Sequence, residues 1–294
     1  MKIASNKVID LIRFYKEQLS GMYEPGELQS IIDLAFEHYL GFSRNDLQSR
    51  QQEPVNQSDL IKIYDACKAL ATGQPLQYVL GEAWFYELRF RVNPSVLIPR
   101  PETEELVDIV LKDLKPVSEA LRVIDMGTGS GCIPVTLKKH RPQDDVYGLD
   151  VSPAALETAA ANAALNHADL TWINQDLLRL GDTTLLNGAP YHVIISNPPY
   201  INVSEAAEMT TQVKDHEPHL ALFVEGSDDT VFYKRIIDLC RKNLLSGGKL
   251  YFELNPLTAS LVLAYAEASG LFKTVELMKD MSGKMRFLKA VRNT

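Results

Sequence analysis

Over the first seventy residues, apolar positions recur at the three-and-four spacing of an α-helix. Val8, Ile9, Leu11, Ile12 and Tyr15 form one stripe. Leu28, Ile31, Ile32, Ala35, Phe36 and Tyr39 form a second, which Gly41 is placed to stop. A third, Leu60, Ile63, Tyr64, Cys67 and Leu70, follows Ser58 as its expected N-cap and ends near Gly73. These stripes predict a small helical bundle over residues 1–75. The helices could cover apolar surface elsewhere in the chain or present a docking face to a partner, and their pattern leaves both readings open.

At Pro75 the texture changes. Trp84 to Val92 is aromatic and partly alternating, which predicts a strand or hairpin. Pro99 and Pro101 then flank Arg100, hold it extended and forbid a regular helix there. Residues 76–103 therefore read as a linker carrying a β-hairpin. A helix with Leu106, Val107, Ile109, Val110 and Leu114 begins near Thr103, and residues 104–294 read as the second domain. Within it strands and helices alternate. Short apolar strands end at Met126, Asp150, Asn174, Ser196 and Leu254, with helical stretches between them, and two closing strands lie near Val275–Met278 and Met285–Val291. Such alternation predicts an α/β fold with a mostly parallel sheet, helices on both faces and an antiparallel edge strand. In that architecture ligands sit at the carboxyl ends of strands, which directs attention to the residues following each one.

Composition narrows the class only a little. The chain has 294 residues, 46% hydrophobic and 23% charged, as in ordinary globular enzymes. No stretch approaches the ~20 apolar residues of a membrane span. Met1 to Asn6 leads into an amphipathic pattern, so no signal peptide is expected. Cys67, Cys132 and Cys240 are odd in number and far apart, suggesting a reducing cytoplasm and neither disulfides nor a zinc site. Net charge is -8, nearly all of it beyond residue 100. That argues against the basic face with which proteins track nucleic acid.

The candidate chemistry lies after the strands. Asp125-Met126-Gly127-Thr128-Gly129-Ser130-Gly131 joins a strand to a helix. Its spacing is G-x-G-x-G, with Cys132 where the dinucleotide motif would place its last glycine, and it resembles the cofactor loop of class I methyltransferases. Asp150, ending the next strand, is placed to accept both hydroxyl hydrogens of a ribose, a device shared with NAD enzymes. Asp176 is placed either to orient an adenine ring, with Leu177 packed on it, or to cap a helix. Ser196-Asn197-Pro198-Pro199-Tyr200 follows a later strand. A planar amide nitrogen is a poor nucleophile because its lone pair is delocalised. The Asn197 side-chain carbonyl and the Pro198 backbone carbonyl can bind its two hydrogens, the Pro-Pro unit fixes their direction, and Tyr200 can stack on the planar group. Catalysis would then be positioning and electrostatics, with no strong base.

With these residues in place the chain resembles the HemK/PrmC family of protein-(glutamine-N5) methyltransferases, from about Pro75 to the C-terminus. The likeness is carried by Pro75-Leu76-Gln77-Tyr78, Gly81, Phe85-Tyr86, Leu97 to Glu105, Asp125 with its glycine loop, Asp150 and Asn197 to Tyr200. The segment Leu97-Ile98-Pro99-Arg100-Pro101-Glu102-Thr103-Glu104 discriminates most, because DNA methyltransferases with similar Pro-Pro-Tyr motifs lack it. Glu87 departs from the glycine usual in the family. The resemblance implies a class I S-adenosylmethionine-dependent fold, Rossmann-like with a mostly parallel seven-stranded sheet, preceded by a small helical domain. Because that domain has its own apolar stripes and holds none of the motifs, it is expected to recognise the substrate. It implies S-adenosylmethionine as cofactor, and as substrate the glutamine of the Gly-Gly-Gln loop in class I peptide chain release factors. No membrane or direct nucleic-acid contact is expected. Arg100 and Glu102 would either order the substrate cleft or serve as a structural ion pair. The loop from Asn202 to Phe223, with Asp215-His216-Glu217-Pro218, would border the entrance and hold no metal. The rival readings are an adenine-N6 methyltransferase acting on DNA or RNA, and a non-catalytic adenosine-binding module.

Overall fold

The computed structural model describes residues 4–181, 188–202, 211–224, 226 and 228–294. It separates into two compact units, the first reaching to Gly81 and the second beginning at Glu82.

In the first unit the apolar stripes become helices. α1 (Val8–Leu19) buries Val8, Leu11, Phe14, Tyr15 and Leu19 on one face. α2 (Pro25–Leu40) starts with Pro25 in its first turn and ends at Gly41, whose N–H donates to the Glu37 carbonyl. α3 (Arg44–Ser49), which the stripes do not reveal, exists through a capping box between Ser43 and Asp46. α4 (Gln57–Leu70) is capped by Asn56, two residues before the expected Ser58, through its side chain on the Asp59 N–H. α5 (Leu76–Leu80) occupies the start of the stretch read as a linker. One core joins these helices, with the Tyr15 hydroxyl donating to the Ile63 carbonyl at 2.9 Å. The described part of Thr211–His216, numbered α9 below, belongs with this unit.

The second unit opens with the hairpin of β1 (Glu82–Phe85) and β2 (Leu88–Arg91). Tyr86 and Glu87 form its two-residue turn with φ of 49° and 63°. Both are left-handed, as the hairpin turn with matching twist requires. α6 (Pro101–Leu114) then begins at Pro101, two residues before the expected start. There follow β3 (Arg122–Met126), α7 (Cys132–His140), β4 (Asp145–Asp150), α8 (Pro153–Leu165), β5 (Thr171–Asn174) and β6 (Tyr191–Ser196). The short strands β7 (Ile201–Asn202) and β8 (Phe223–Val224) pair in parallel. Between them lie α9 (Thr211–His216) and α10 (His219–Leu222), where a loop was expected; residues 203–210 of that stretch fall outside the description. The chain closes with α11 (Val231–Asn243), β9 (Leu244–Glu253), α12 (Ala259–Ala268), β10 (Phe272–Lys279) and β11 (Met285–Arg292).

The seven-stranded sheet has the order β10-β11-β9-β6-β3-β4-β5. The only reversed strand is β11, antiparallel to both neighbours, so it sits one place in from the edge where it was expected. A β10–β11 hairpin inserted beside β9 produces this. Alternate residues of the strands feed two cores. Ile124 and Met126 pack with α11 and α12, and Val123 packs with α6 and α7. Burial on both faces is why the inner strands read as apolar runs. The chain places β4 and β5 on one side of β3 and returns to place β6 on the other. That reversal opens a crevice at the carboxyl ends of β3 and β6.

Candidate active site

The loop after β3 is shaped by its backbone. Gly127, Gly129 and Gly131 have φ of 82°, 52° and 77°, conformations that side-chain-bearing residues rarely adopt. The N–H groups of Gly127 and Thr128 both donate to the Leu149 carbonyl, at 2.8 and 2.9 Å, which turns the loop over the end of β4. A Cβ at Gly127 or Gly129 would meet no protein atom within 4 Å, whereas one at Gly131 would strike Ala159 at 3.0 Å. The first two glycines therefore leave the backbone open to a ligand, and the third lets α8 approach. Asn162 of α8 holds the loop from behind, donating to the Ser130 and Arg91 carbonyls at 2.9 Å. Its pattern in the sequence, one asparagine in an alanine-rich helix, gave no hint of this.

Asp150 stands beside the loop. One carboxylate oxygen accepts from the Gly129 N–H and the other from the Ser152 N–H, both at 2.9 Å. A carboxylate can accept about four hydrogen bonds, so roughly two places remain. Burial raises its pKa, and these N–H donors pull against that. Asp125 is sealed under the loop. Neither of its oxygens nor the Thr128 hydroxyl has a hydrogen-bond partner. Burial pushes the Asp125 carboxyl up to about 7; Thr128 offsets a part, though without a well-formed bond, and Asp150 adds to it. A buried, unpaired carboxyl beneath an open glycine loop fits a ligand that brings positive charge. Asp176 is seen as a cap: it accepts from the Leu178 N–H at 2.9 Å and pairs with Arg179. Leu177 is buried in the core shared with α11 rather than lying on an open face.

At the end of β6 side chains do the shaping. The Asn197 amide nitrogen donates to the Thr103 hydroxyl at 3.1 Å, and that hydroxyl donates to a Glu253 oxygen at 2.7 Å. Tyr200 reaches the other Glu253 oxygen at 3.5 Å. Among the described residues nothing donates to the Asn197 side-chain oxygen or to the Pro198 carbonyl. Pro198 is buried and Pro199 half-buried. Burial pushes Glu253 up to about 7, with Glu102 adding and Thr103, Arg286 and Tyr200 opposing. Burial and the Glu253 charge raise Tyr200 as well. Sequence reasoning read Thr103 as a helix start and missed Glu253. The signal for Glu253 was a carboxylate closing the apolar strand Leu250-Tyr251-Phe252, a place where an unpaired acid is rare.

Arg100 pairs with Glu217 at 2.5 Å rather than with Glu102. The Glu217 carboxylate is buried and also accepts from the Ile98 N–H at 3.3 Å, so this bridge anchors the extended segment before α6. Glu102 makes no hydrogen bond or ion pair with any described residue, and its charge is felt by Glu253 and Tyr200. Among the described residues no group of three or more His, Cys, Asp or Glu is arranged to hold a metal, and no helix is long and apolar enough to cross a membrane.

Comparison with known proteins adds to this geometry. Residues 10–81 match the PrmC N-terminal domain and residues 104–220 the methyltransferase small domain. The release factor glutamine methyltransferase of Flavobacterium psychrophilum is 38% identical over 285 residues, covering 95% of this chain and 98% of that protein. Its counterpart in Bacteroides thetaiotaomicron is 37% identical over 279 residues, covering 95% and 98%. Among solved structures, a 16S rRNA methyltransferase of T. thermophilus with bound AdoMet and guanosine superposes with a TM-score of 0.53 at 18% identity, over 72% of this chain and 50% of that one. At that identity the likeness concerns the fold.

Proposed function

The chain belongs to the release factor glutamine methyltransferase family, and we propose that its substrate is the Gly-Gly-Gln glutamine of class I peptide chain release factors, methylated on the side-chain amide nitrogen, N5. It is an S-adenosylmethionine-dependent enzyme. The observation carrying the substrate reading is the pair of unbonded carbonyls at Asn197 and Pro198, beside the glycine loop on the adjacent strand. Two acceptors in fixed positions suit the two hydrogens of a primary amide.

The cofactor, when bound, supplies a methyl group on a sulfonium that departs as a neutral thioether and needs no protonation. Asp150 holds the ribose hydroxyls with its remaining acceptor sites. The open backbone from Gly127 through Thr128, Gly129 and Ser130 to Gly131 lies along the ligand, and the Asp125 carboxyl beneath it contributes negative charge. Asp176, next to the buried Leu177, borders the adenine end. The substrate amide donates to Asn197 and Pro198, which draws its nitrogen toward a pyramidal geometry and frees its lone pair. Once the N–C bond has formed, the nitrogen gives up one of its two protons to solvent. Pro199 keeps the Pro198 carbonyl in place, and Tyr200 covers the planar group and excludes water. These are preorganised polar contacts acting where charge develops, worth on the order of 10²–10³ in rate for a single donor or acceptor in comparable sites. Arg100, fixed by Glu217, and Glu102, which is not paired, border the substrate.

The N-terminal unit recognises the folded release factor. Its self-contained core supports this, as do Met22, Leu34 and Ile61, which stay exposed on it. The enzyme works in the cytoplasm and does not bind nucleic acid directly. Incubation with labelled cofactor tests the reading. Label should enter intact release factor, not a factor whose Gly-Gly-Gln glutamine is replaced by alanine, and not DNA. Label on DNA alone would overturn it.

A further inference from the structure

An asparagine side chain can sit either way round, because its oxygen and nitrogen have nearly the same size and only hydrogen bonding distinguishes them. The orientation matters here. With oxygen toward the crevice Asn197 accepts from a substrate amide; with nitrogen outward it opposes N–H to N–H. We propose that Thr103 and Glu253 are positioning residues whose hydrogen bonds decide which edge of the Asn197 amide faces the substrate. The inference rests on the amide-methylating function proposed above.

The argument is one of counting protons. An ionised carboxylate only accepts, so the 2.7 Å contact between Thr103 and Glu253 takes the single hydroxyl proton of Thr103. The Thr103 oxygen can then only accept, and the group 3.1 Å away must present N–H to it. That group is the Asn197 amide, so its oxygen turns to the crevice. Protonating Glu253 undoes the logic. The acid can donate to Thr103, whose hydroxyl proton is then free to bond the Asn197 oxygen and turn the amide round.

The surroundings set when this happens. Thr103 and Glu102 face Glu253 from α6, and Tyr200 from the loop after β6. The Tyr233 hydroxyl of α11 donates to the Glu253 carbonyl at 3.1 Å, and Cys132 of α7 senses its charge. Arg286 of β11 favours the ionised form, although Asp280 holds that guanidinium at 3.0 Å. Burial and Glu102 oppose ionisation and bring the carboxyl up to about 7. Glu253 therefore gains its charge, and Asn197 its correct turn, as pH rises through that range.

The test is single-turnover methylation of purified release factor at saturating S-adenosylmethionine, between pH 6 and pH 9, for the full chain and three variants. The wild type should lose rate on acidification with an apparent pKa near about 7. Thr103→Val should be slower by about 10- to 100-fold above that pH, as expected for a lost hydrogen bond to a charged group. Its affinity for S-adenosylmethionine should stay within about twofold and its acid limb should vanish. Thr103→Ser, which keeps the hydroxyl, should restore most of the rate and the limb. Glu253→Gln should be slow and flat with pH. Asp125 titrates in the same range but acts on cofactor affinity, which saturation removes from the rate. A Thr103→Val enzyme as fast as wild type would overturn the proposal, and so would a Thr103→Ser enzyme as slow as Thr103→Val. If Thr103→Val does not fold, an acid limb that persists in Glu253→Gln overturns it and a flat profile supports it. A wild type that never labels release factor sinks the functional reading itself, whereas an active wild type with these variants unchanged sinks only this inference.

Discussion

The carboxyl ends of β3 and β6 are neighbours in the sheet, yet they are built by opposite means. After β3 the backbone does the shaping: three left-handed glycines turn the chain, and the acid beneath them has no hydrogen-bond partner. After β6 the side chains do it. Asn197, Thr103, Glu253 and Tyr200 form one connected chain of hydrogen bonds, and among the described residues the Asn197 side-chain oxygen and the Pro198 carbonyl are left unbonded beside it. The first end, on the function proposed above, is completed by a charged ligand. The second is complete in itself and merely presents acceptors. Damage should therefore separate cleanly, binding failing at one end and chemistry at the other.

The largest effect should come from the end of β6. Asn197→Ala removes one of the two acceptors and should slow methyl transfer on the order of 10²–10³-fold, by analogy with the loss of one preorganised contact in an oxyanion hole. Single-turnover rates with intact release factor measure it, and calorimetry should find cofactor affinity unchanged. A near-wild-type rate would mean that Asn197 only shapes a turn. Asp150→Ala should do the reverse, weakening S-adenosylmethionine by about 100-fold as two hydrogen bonds to a carboxylate go, while the rate at saturation holds. Equal losses in rate and affinity from both variants would erase the distinction between the two ends.

How far each end could be read in the sequence follows from the same contrast. A backbone device is local. Gly127, Gly129, Gly131 and the strand before them lie within ten residues, and the alternation of strands around them was enough to place the parallel sheet. A side-chain relay is not local. Asn197 is 94 positions from Thr103, and Thr103 is 150 from Glu253. No spacing rule links them before the sheet brings β6 and β9 side by side. The same limit explains Arg100, whose partner proved to be Glu217, 117 positions away, and not its neighbour Glu102. It also explains β11, whose insertion beside β9 is a matter of pairing that strand patterns do not encode.

Acid and base should sharpen the contrast through stability. Asp125 and Glu253 are both raised to about 7 by burial, from ordinary values near 4. A carboxyl raised on folding binds its proton more tightly in the folded chain. Its contribution is complete below the unfolded value and is lost as pH climbs through the folded one. Asp113 behaves oppositely. Burial would raise it, but Lys249, Lys289 and Tyr251 together draw it down to about 2, so it matters only in stronger acid. Without cofactor, the melting temperature should fall between about pH 4 and 7, by a loss on the order of a few kcal/mol. Saturating S-adenosylmethionine should flatten the part due to Asp125, because its positive charges favour the ionised form. Glu253→Gln should remove the other part. A cofactor-free protein whose melting temperature rises steadily over that interval would contradict both assignments.

The smallest effect concerns a place where left-handed backbone serves no ligand. In the β1–β2 turn Tyr86 is compensated for its φ of 49°, since its N–H donates to Glu104 at 2.6 Å and its ring packs edge-on against His140. Glu87, at 63°, is exposed and has no such return. Glu87→Gly should remove the steric cost of that conformation and add some freedom to the unfolded chain, for a net gain of about 0.5–1 kcal/mol. The melting temperature should then rise by about 2–4 °C per kcal/mol, with activity unchanged. Gly127→Ala is the mirror experiment, because its φ of 82° exacts a similar conformational cost and the added Cβ meets no protein atom within 4 Å. On stability alone it should simply reverse the Glu87→Gly gain. If the open space at Gly127 belongs to the cofactor, calorimetry will also find its affinity reduced, a loss that has no counterpart in the hairpin. An alanine at position 127 that destabilises the fold but binds S-adenosylmethionine normally would show that the two turns differ only in residue type, and that the loop after β3 is not open for a ligand's sake.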